Sequence, residues 1–517
     1  MPRYGILVAL CVAGCVCACS VGPDFTYPDM KVPPAFEFSR STRSSPSGVD
    51  AAQAAKIGSW WKTLHDSELN SLVERAVLAN PEIEVALERI QQAREHEIVV
   101  LGAALPNLGA GGSFARGTGT DSVKSPRIPP TLDAALNTTG FKEVTGVSGF
   151  DAGWELDLFG KYRRALEAAR YDTQAAIEAR NATVITVVSE VARNYAILRG
   201  LQLRLVLLRE NIARAERNVN LTLTRYDQGL TNEGDVLLAR REAEALNGVL
   251  PSLNTAIFEA ESRIGLLLGT FSGDVIAELQ EPRKIPQTPD RVKPGKPIDL
   301  LRRRPDIRRA ETELASATAR IGVATADLFP RVTLTAGVGL QGGREAVSST
   351  SPPVRGLIWS VGPGSYWPLL DFGRLDAVVD EAEFRTREHL VEYKRIVLAA
   401  VEEVNAALIK YQSNIETVRH LRRAVDASRR AVDFHTGRYE QGISDFLNVL
   451  DAARQEYELE EQSATAQLAV ALAYIALYKA LGGGWELFQD IPPIQQPEPA
   501  VLASIRRLSA PRELQSR

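Results

Sequence analysis

Arg225-Tyr226-Asp227-Gln228-Gly229-Leu230-Thr231 returns 213 residues later as Arg438-Tyr439-Glu440-Gln441-Gly442-Ile443-Ser444. Each copy follows a long proline-free stretch and precedes a second helical one. Glycine supplies the left-handed backbone that closes a helix, so Gly229 and Gly442 are read as the tips of two helical hairpins. Working outward, the offset holds. Trp154 is followed by Phe159-Gly160-Lys161, and Trp367 by Phe372-Gly373-Arg374, again 213 residues on. Leu268-Gly269 answers to Leu481-Gly482 at the same distance. Upstream the distance becomes 224: Asn80-Pro81-Glu82-Ile83 answers to Arg304-Pro305-Asp306-Ile307, and Pro106 to Pro330. The change falls between Pro106 and Trp154, so the first copy carries a loop longer by 11 residues (224 − 213). A duplication that tolerates a length change at one place has one free loop end. The repeats are read as 61–280 and 301–490, joined by a Pro-rich connection at 281–300.

From Arg374 to Thr436 there is neither glycine nor proline. At about 1.5 Å per residue that run would extend roughly 90 Å as one helix. Apolar residues recur every seventh position, at Val397, Val404, Tyr411, Val418, Val425 and Val432, with a second seam at Val401, Leu408 and Ile415. Their first-repeat counterparts Val184, Val191, Leu198, Leu205, Ile212 and Val219 are apolar too. A sustained repeat of seven predicts left-handed supercoiling against neighbouring helices. Taken alone, the helices fit a spectrin-like or tail-fibre coiled coil equally well. The return helix Ser444 to Leu481 stops at Gly482-Gly483-Gly484. That run is a terminator, not a phosphate loop, because no strand precedes it and no Lys-Ser/Thr follows.

Four short stretches alternate with period two, at about 105–116, 144–158, 328–341 and 357–370. In the third, Val332, Leu334, Ala336, Val338 and Leu340 take one face, and Arg331, Thr333, Thr335, Gly337, Gly339 and Gln341 the other. Strands of around ten residues suit a tilted crossing of a bilayer, and Trp154, Trp359 and Trp367 are read near strand ends, where an aromatic girdle would lie. A soluble half-buried sheet would alternate in the same way. Four such strands in a secreted lipoprotein favour the membrane. An open sheet edge cannot stand in hydrocarbon, and four strands are too few to close a barrel with an interior. Several chains must therefore share one barrel; three chains would supply twelve strands, continued by long helices across the periplasm.

The N-terminus, 1–18, reads as a secretory signal too short to span a bilayer. All four cysteines, Cys11, Cys15, Cys17 and Cys19, lie in or beside it, so the mature chain has neither a disulfide framework nor a thiol nucleophile. Cysteine after small residues resembles the bacterial lipobox. Val12-Ala13-Gly14-Cys15 has the better consensus, but Cys19 gives the more usual signal length and is preferred; ordinary cleavage without lipid is the third possibility. A lipobox cysteine carries several acyl chains, which anchor stably. Ser20 is not the aspartate that retains lipoproteins in the inner membrane, which favours the outer one. Residues 19–60 form an anchor and linker, and 491–517 a polar Pro/Gln-rich tail.

A net charge of −4 with dispersed Lys and Arg argues against nucleic acid as a partner. The five histidines, His65, His96, His389, His420 and His435, show no metal-ligand spacing, and none stands beside a plausible nucleophile. Neither an enzyme nor a metal site is expected, and no cofactor beyond the covalent lipid. A periplasmic coiled-coil adaptor or structural lipoprotein is the alternative; it should have one hairpin between compact β domains rather than a duplicated strand pair.

The chain resembles the outer-membrane efflux factor family, the TolC/OprM-like trimeric channels, in its NodT-type lipoprotein branch. The resemblance rests on Cys19-Ser20-Val21-Gly22-Pro23-Asp24-Phe25, on Trp60-Trp61 with Asp66, and on Asn80-Pro81-Glu82-Ile83. It also rests on Leu301-Arg302-Arg303-Arg304-Pro305-Asp306-Ile307, Leu370-Asp371-Phe372-Gly373 and Lys479-Ala480-Leu481-Gly482-Gly483-Gly484-Trp485. Each motif is weak alone; their order and spacing are specific, and they span nearly the whole mature chain. The resemblance implies a homotrimer in outer-membrane lipid, an exit duct for small molecules. It also implies a periplasmic adaptor and an inner-membrane pump of the RND type as partners. By motif position, Leu447 and Asp451 would form apolar and acidic rings at the periplasmic gate. Read without the family, Leu447 is a coiled-coil core position and Asp451 a solvated face. The first repeat has Gly234 and Leu238 at the equivalent places. Arg225, Tyr226, Gly229, Arg438, Tyr439 and Gly442 would be adaptor contacts, a role compatible with capping and packing.

Overall fold

A computed structural model describes residues 20–37, 57–113, 143–344 and 354–489. The signal segment with Cys15 and Cys19, and the tail 491–517, lie outside the described residues. After a 3-10 turn at Trp60–Leu64 come α1 (Ser67–Ala79), α2 (Pro81–Ala103), β1 (Asn107–Ser113) and β2 (Glu143–Leu156). The 67-residue α3 (Lys161–Asp227) leads to α4 (Glu233–Asn247), α5 (Leu250–Leu267), α6 (Ser272–Leu279) and α7 (Pro297–Arg303). The second repeat follows with α8 (Pro305–Ala326), β3 (Arg331–Arg344), β4 (Val354–Tyr366), the 67-residue α9 (Arg374–Glu440) and α10 (Phe446–Ala480). Two compact units result: Met1–Met30, Arg89–Ile177 and Arg309–Arg395 form the first; Lys31–Glu88, Glu178–Arg308 and Ile396–Arg517 form the second. Among the described residues no helix is long and apolar enough to cross a membrane.

The first unit holds one antiparallel sheet in the order β1-β2-β3-β4. Its apolar face is turned outward, with Leu334, Val338, Leu340, Leu357 and Val361 exposed. Two bonds repeat the duplication at atomic level: Trp154 Nε1 donates to Ala104 O, and Trp367 Nε1 to Leu328 O, each at 3.0 Å. Both tryptophans stand at strand bases as expected. Trp359 does not; it pairs with Val338 in the middle of β4. The strand bounds also differ from the sequence expectation. β3 begins at Arg331, after Pro330, and runs to Arg344, while β4 spans Val354–Tyr366 and stops ahead of Trp367-Pro368.

In the second unit the seven-residue seams are buried: Val184, Val191, Leu198, Leu205 and Ile212 on α3, and Val397, Val404, Tyr411, Val418 and Val425 on α9. The stretch of α3 from 178 to 227 alone extends about 75 Å at 1.5 Å per residue. The motifs at offset 224 turn out to be clamps. Asn80 caps α2, its Oδ1 accepting from Glu82 N at 2.9 Å, while its Nδ2 donates to Leu267 O at 2.8 Å. Arg304 does the equivalent work, gripping Asp306 with two bonds and donating to Ala480 O at 2.9 Å. Each return helix is thereby tied to the start of a short helix in its own repeat. Gly269 and Gly482 complete the clamp: a Cβ on Gly269 would lie 2.5 Å from Ala79 O, and one on Gly482 2.8 Å from the Arg304 side chain. The return helices differ. α10 is unbroken, whereas Gly248 and Val249 separate α4 from α5, since Pro251 cannot donate to Asn247 and its ring crowds that carbonyl.

Candidate functional site

Both hairpin tips close by the same Schellman motif. Gly229 (φ 71°) donates to Tyr226 O at 2.9 Å and Leu230 to Arg225 O at 2.8 Å; Gly442 (φ 74°) donates to Tyr439 O and Ile443 to Arg438 O, each at 2.9 Å. Alike in backbone, the tips differ in side chains. Arg225 lies over the Tyr439 ring at 4.7 Å and donates from Nη1 to Glu440 O at 3.0 Å. Tyr439 is only 3% exposed, packed on Phe446 at 5.5 Å between ring centroids. Tyr439 therefore belongs to the clasp between hairpins, and its expected place on an adaptor surface is corrected. Tyr226, Gly229, Arg438 and Gly442 stay exposed, with Leu230 and Ile443 beside them.

Leu447 and Asp451, the pair expected at a gate, stand at the start of α10. Phe446, Val449 and Leu450 form a buried cluster with Ala239 and Tyr439. Four residues apart, Leu447 and Asp451 share the opposite, exposed face. Leu447 is 62% exposed, so it is no core position of this chain's own coiled coil. Asp451 accepts from Gln455 Nε2 at 3.3 Å. In the first repeat, Gly234 offers no side chain and Leu238 packs against the buried cluster, so the pair occurs once per chain.

Sequence reasoning missed an ion-pair network further along α10. Glu456 and Glu460 are buried on α10, where Arg214 reaches them at 2.6 and 3.1 Å, and Arg429 reaches Glu460 at 2.7 Å. Asn211 Nδ2 adds a bond to Glu460 at 3.0 Å. The bond from Glu460 holds the Arg429 guanidinium above its ordinary pKa. Two carboxylates four residues apart inside an apolar seam were the available signal. A cavity of about 320 Å³ adjoins this network, walled by Asn218, Asp433, Thr436, Phe446, Leu450 and Tyr457.

The third site is the N-terminal strap. Val21 N donates to Phe159 O at 3.1 Å, and Arg164 holds Val21 O, Gly22 O and the Asp24 carboxylate at 3.1, 3.2 and 2.7 Å. Gly22 (φ 90°) passes so close that a Cβ would stand 2.4 Å from Gly322 Cα.

Comparison with known proteins places this geometry. The sequence profile described as "Outer membrane efflux protein" matches residues 72–270 and 297–483. Nodulation protein T of Rhizobium leguminosarum bv. trifolii is 30% identical over 480 residues, 92% of this chain and 96% of that protein. The pyoverdine export outer membrane protein OpmQ of Pseudomonas aeruginosa is 29% identical over 448 residues, 84% of this chain and 89% of that one. Among solved structures, the outer-membrane channel OprN superposes with a TM-score of 0.76 at 34% identity, covering 90% of this chain and all of that one. CusC gives 0.71 at 25%, again over 90% of this chain and 100% of its own. With the profile on both repeats and relatives matched nearly end to end, the chain belongs to the outer membrane efflux protein family.

Proposed function

We propose that the chain is the outer-membrane exit duct of a tripartite efflux pump, three copies sharing one barrel. The sheet carries this reading. Among the described residues β1 and β4 pair on one side only, and the apolar face is exposed. Such edges are untenable in hydrocarbon unless other strands complete them. The helices continue the duct, with the Leu447 and Asp451 rings closing it. The exposed tip residues Tyr226, Gly229, Arg438 and Gly442, with Leu230 and Ile443, receive a periplasmic adaptor, through which an RND-type inner-membrane pump delivers small molecules. Export by OpmQ and other relatives supports the transport class and leaves the cargo unassigned.

The deciding experiment is the oligomeric mass of detergent-extracted, unboiled protein, followed by single-channel recording on that species. A trimer with discrete, mostly closed conductance is expected. A monomer that stays soluble without detergent would overturn the reading.

Lipid anchoring at Cys19 completes it. The more usual signal length, and the Ser20-Val21-Gly22-Pro23-Asp24-Phe25 opening that follows, support Cys19 over Cys15. Cys19→Ser is expected to abolish incorporation of radiolabelled fatty acid, and Cys15→Ser to leave it intact. The opposite pattern would move the anchor to Cys15.

A further inference from the structure

Glu456 and Glu460 are buried alike, at 2 and 3% exposure, yet their carboxylates are served unequally. Both Glu460 oxygens are taken: Oε1 accepts from Arg429 Nη2 at 2.7 Å, and Oε2 from Arg214 Nη2 at 3.1 Å and Asn211 Nδ2 at 3.0 Å. Glu456 Oε1 accepts from Arg214 Nη1 at 2.6 Å, with Arg429 Nε 3.7 Å away. Glu456 Oε2 has no hydrogen-bond partner among the described residues. A buried carboxylate oxygen without a donor favours any ligand that brings one.

Glu456 lines the cavity of about 320 Å³ between α3, α4, α9 and α10. That volume lies at the lower end for small-molecule pockets, enough for a ligand of one or two rings. Ala239, Leu246, Phe446, Leu450, Ala453 and Tyr457 give it an apolar side. On its exposed side stand Asp433 and Glu440, which share one face of α9. Among the described residues neither of these carboxylates, nor the lining Arg217, makes a side-chain bond. Glu242, also in the wall, is taken up by Arg454 Nε at 2.7 Å. Two free acids against one free base leave the entrance negative.

We propose that this cavity binds a small amphipathic amine of one or two rings, its ammonium donating to Glu456 Oε2 and its rings packed on Phe446, Leu450 and Tyr457. An ammonium supplies the charge-assisted bond that a buried carboxylate oxygen rewards. The negative entrance draws such a cation in and repels an anion of the same shape. A metal ion does not suit the site, because among the described residues no three Asp, Glu, His or Cys side chains converge to hold one. Phe446 and Leu450 directly precede Leu447 and Asp451 on α10, so an occupant bears on the segment that carries that pair. The whole site is built from one chain, and it stands independently of the exit-duct reading.

The probes are naphthylethylamine, naphthylethanol and naphthylacetic acid, one ring system carrying a cation, a neutral hydroxyl or an anion. Each is titrated calorimetrically into detergent-extracted protein in a neutral maltoside near neutral pH, with the heat of mixing into empty micelles subtracted. The amine is expected to bind once per chain, about tenfold tighter than the alcohol, and the acid not to bind. Glu456→Gln should bring the amine down to the affinity of the alcohol, with circular dichroism reporting the fold. Ala453→Trp fills the cavity from a half-buried position and should abolish binding of both. An amine no tighter than the alcohol on the unaltered chain would overturn the proposal without recourse to any variant. Amine binding unchanged by Ala453→Trp would also overturn it, since the ligand would then sit elsewhere. A preference for the amine that survives Glu456→Gln in folded protein would remove Glu456 from the site.

Discussion

Leu447→Ala combined with Asp451→Ala is expected to raise the open probability of the reconstituted channel about tenfold, with Asp451→Asn alone giving a smaller rise. Within one chain Leu447 is turned away from the core that Phe446, Val449 and Leu450 build. An exposed leucine at this place has a stabilising role only against other copies. Burying one leucine fully is worth about 1.5–3 kcal/mol, and a tenfold shift in an equilibrium takes about 1.4 kcal/mol. Partial loss of burial in three copies is therefore enough. In the proposed gate the carboxylate would act differently: three crowded anions would hold cations or basic groups in the closed ring, and neutralising them would free it. Because both side chains are exposed in the chain, the fold should be unaffected, with stability within about 0.5 kcal/mol of wild type. Single-channel recording in planar bilayers measures the effect. Unchanged conductance with an intact trimer would remove Leu447 and Asp451 from the gate.

Those two residues show how far the sequence carried. The hairpins were legible because glycine at a helix end and a spacing of seven are local signals, and Gly229, Gly442 and both buried seams stand where they were expected. The duplication was legible too, down to the paired bonds of Trp154 and Trp367. The side-chain roles at the tips were not. Arg225-Tyr226 and Arg438-Tyr439 are the same dipeptide, yet Tyr439 is buried and Tyr226 exposed. Nothing local separates them; the difference comes from which neighbour the chain itself supplies. Trp359 fails for a similar reason: a tryptophan in an alternating run fits strand middle and strand end alike, and only the pairing with Val338 decides. The ion-pair network of Glu456 and Glu460 was hidden because its arginines come from α3 and α9, more than two hundred residues away in one case.

Glu68→Ala is expected to cause the largest loss of stability of any single change discussed, about 3–5 kcal/mol, the usual cost of stripping a buried charge of its partner. Arg199 on α3 is 0% exposed, and Glu68 on α1 is its only carboxylate partner among the described residues. Its remaining hydrogen-bond and ring partners are neutral, Gln202 Oε1 at 2.6 Å, Glu281 O at 2.8 Å, Leu279 O at 3.3 Å and the Tyr195 ring beneath at 4.8 Å, while the buried Glu261 carboxylate acts on it without an ion pair. Removing Glu68 leaves a fully buried guanidinium with no ion-pair partner, held by dipoles and by the more distant Glu261 charge. The converse change, Arg199→Met, should cost less, because Glu68 keeps Arg283 at 3.0 Å and the Tyr195 hydroxyl at 3.0 Å. Glu68→Met with Arg199→Met should also cost less than Glu68→Ala alone, since no unpaired charge remains. The thermal midpoint of the detergent-extracted protein, followed by circular dichroism, ranks the three. If Arg199→Met proved the most damaging, the cost would lie in the lost bonds to Gln202, Leu279 and Glu281, and the pair would be serving to fasten the inter-repeat connection rather than to neutralise Arg199.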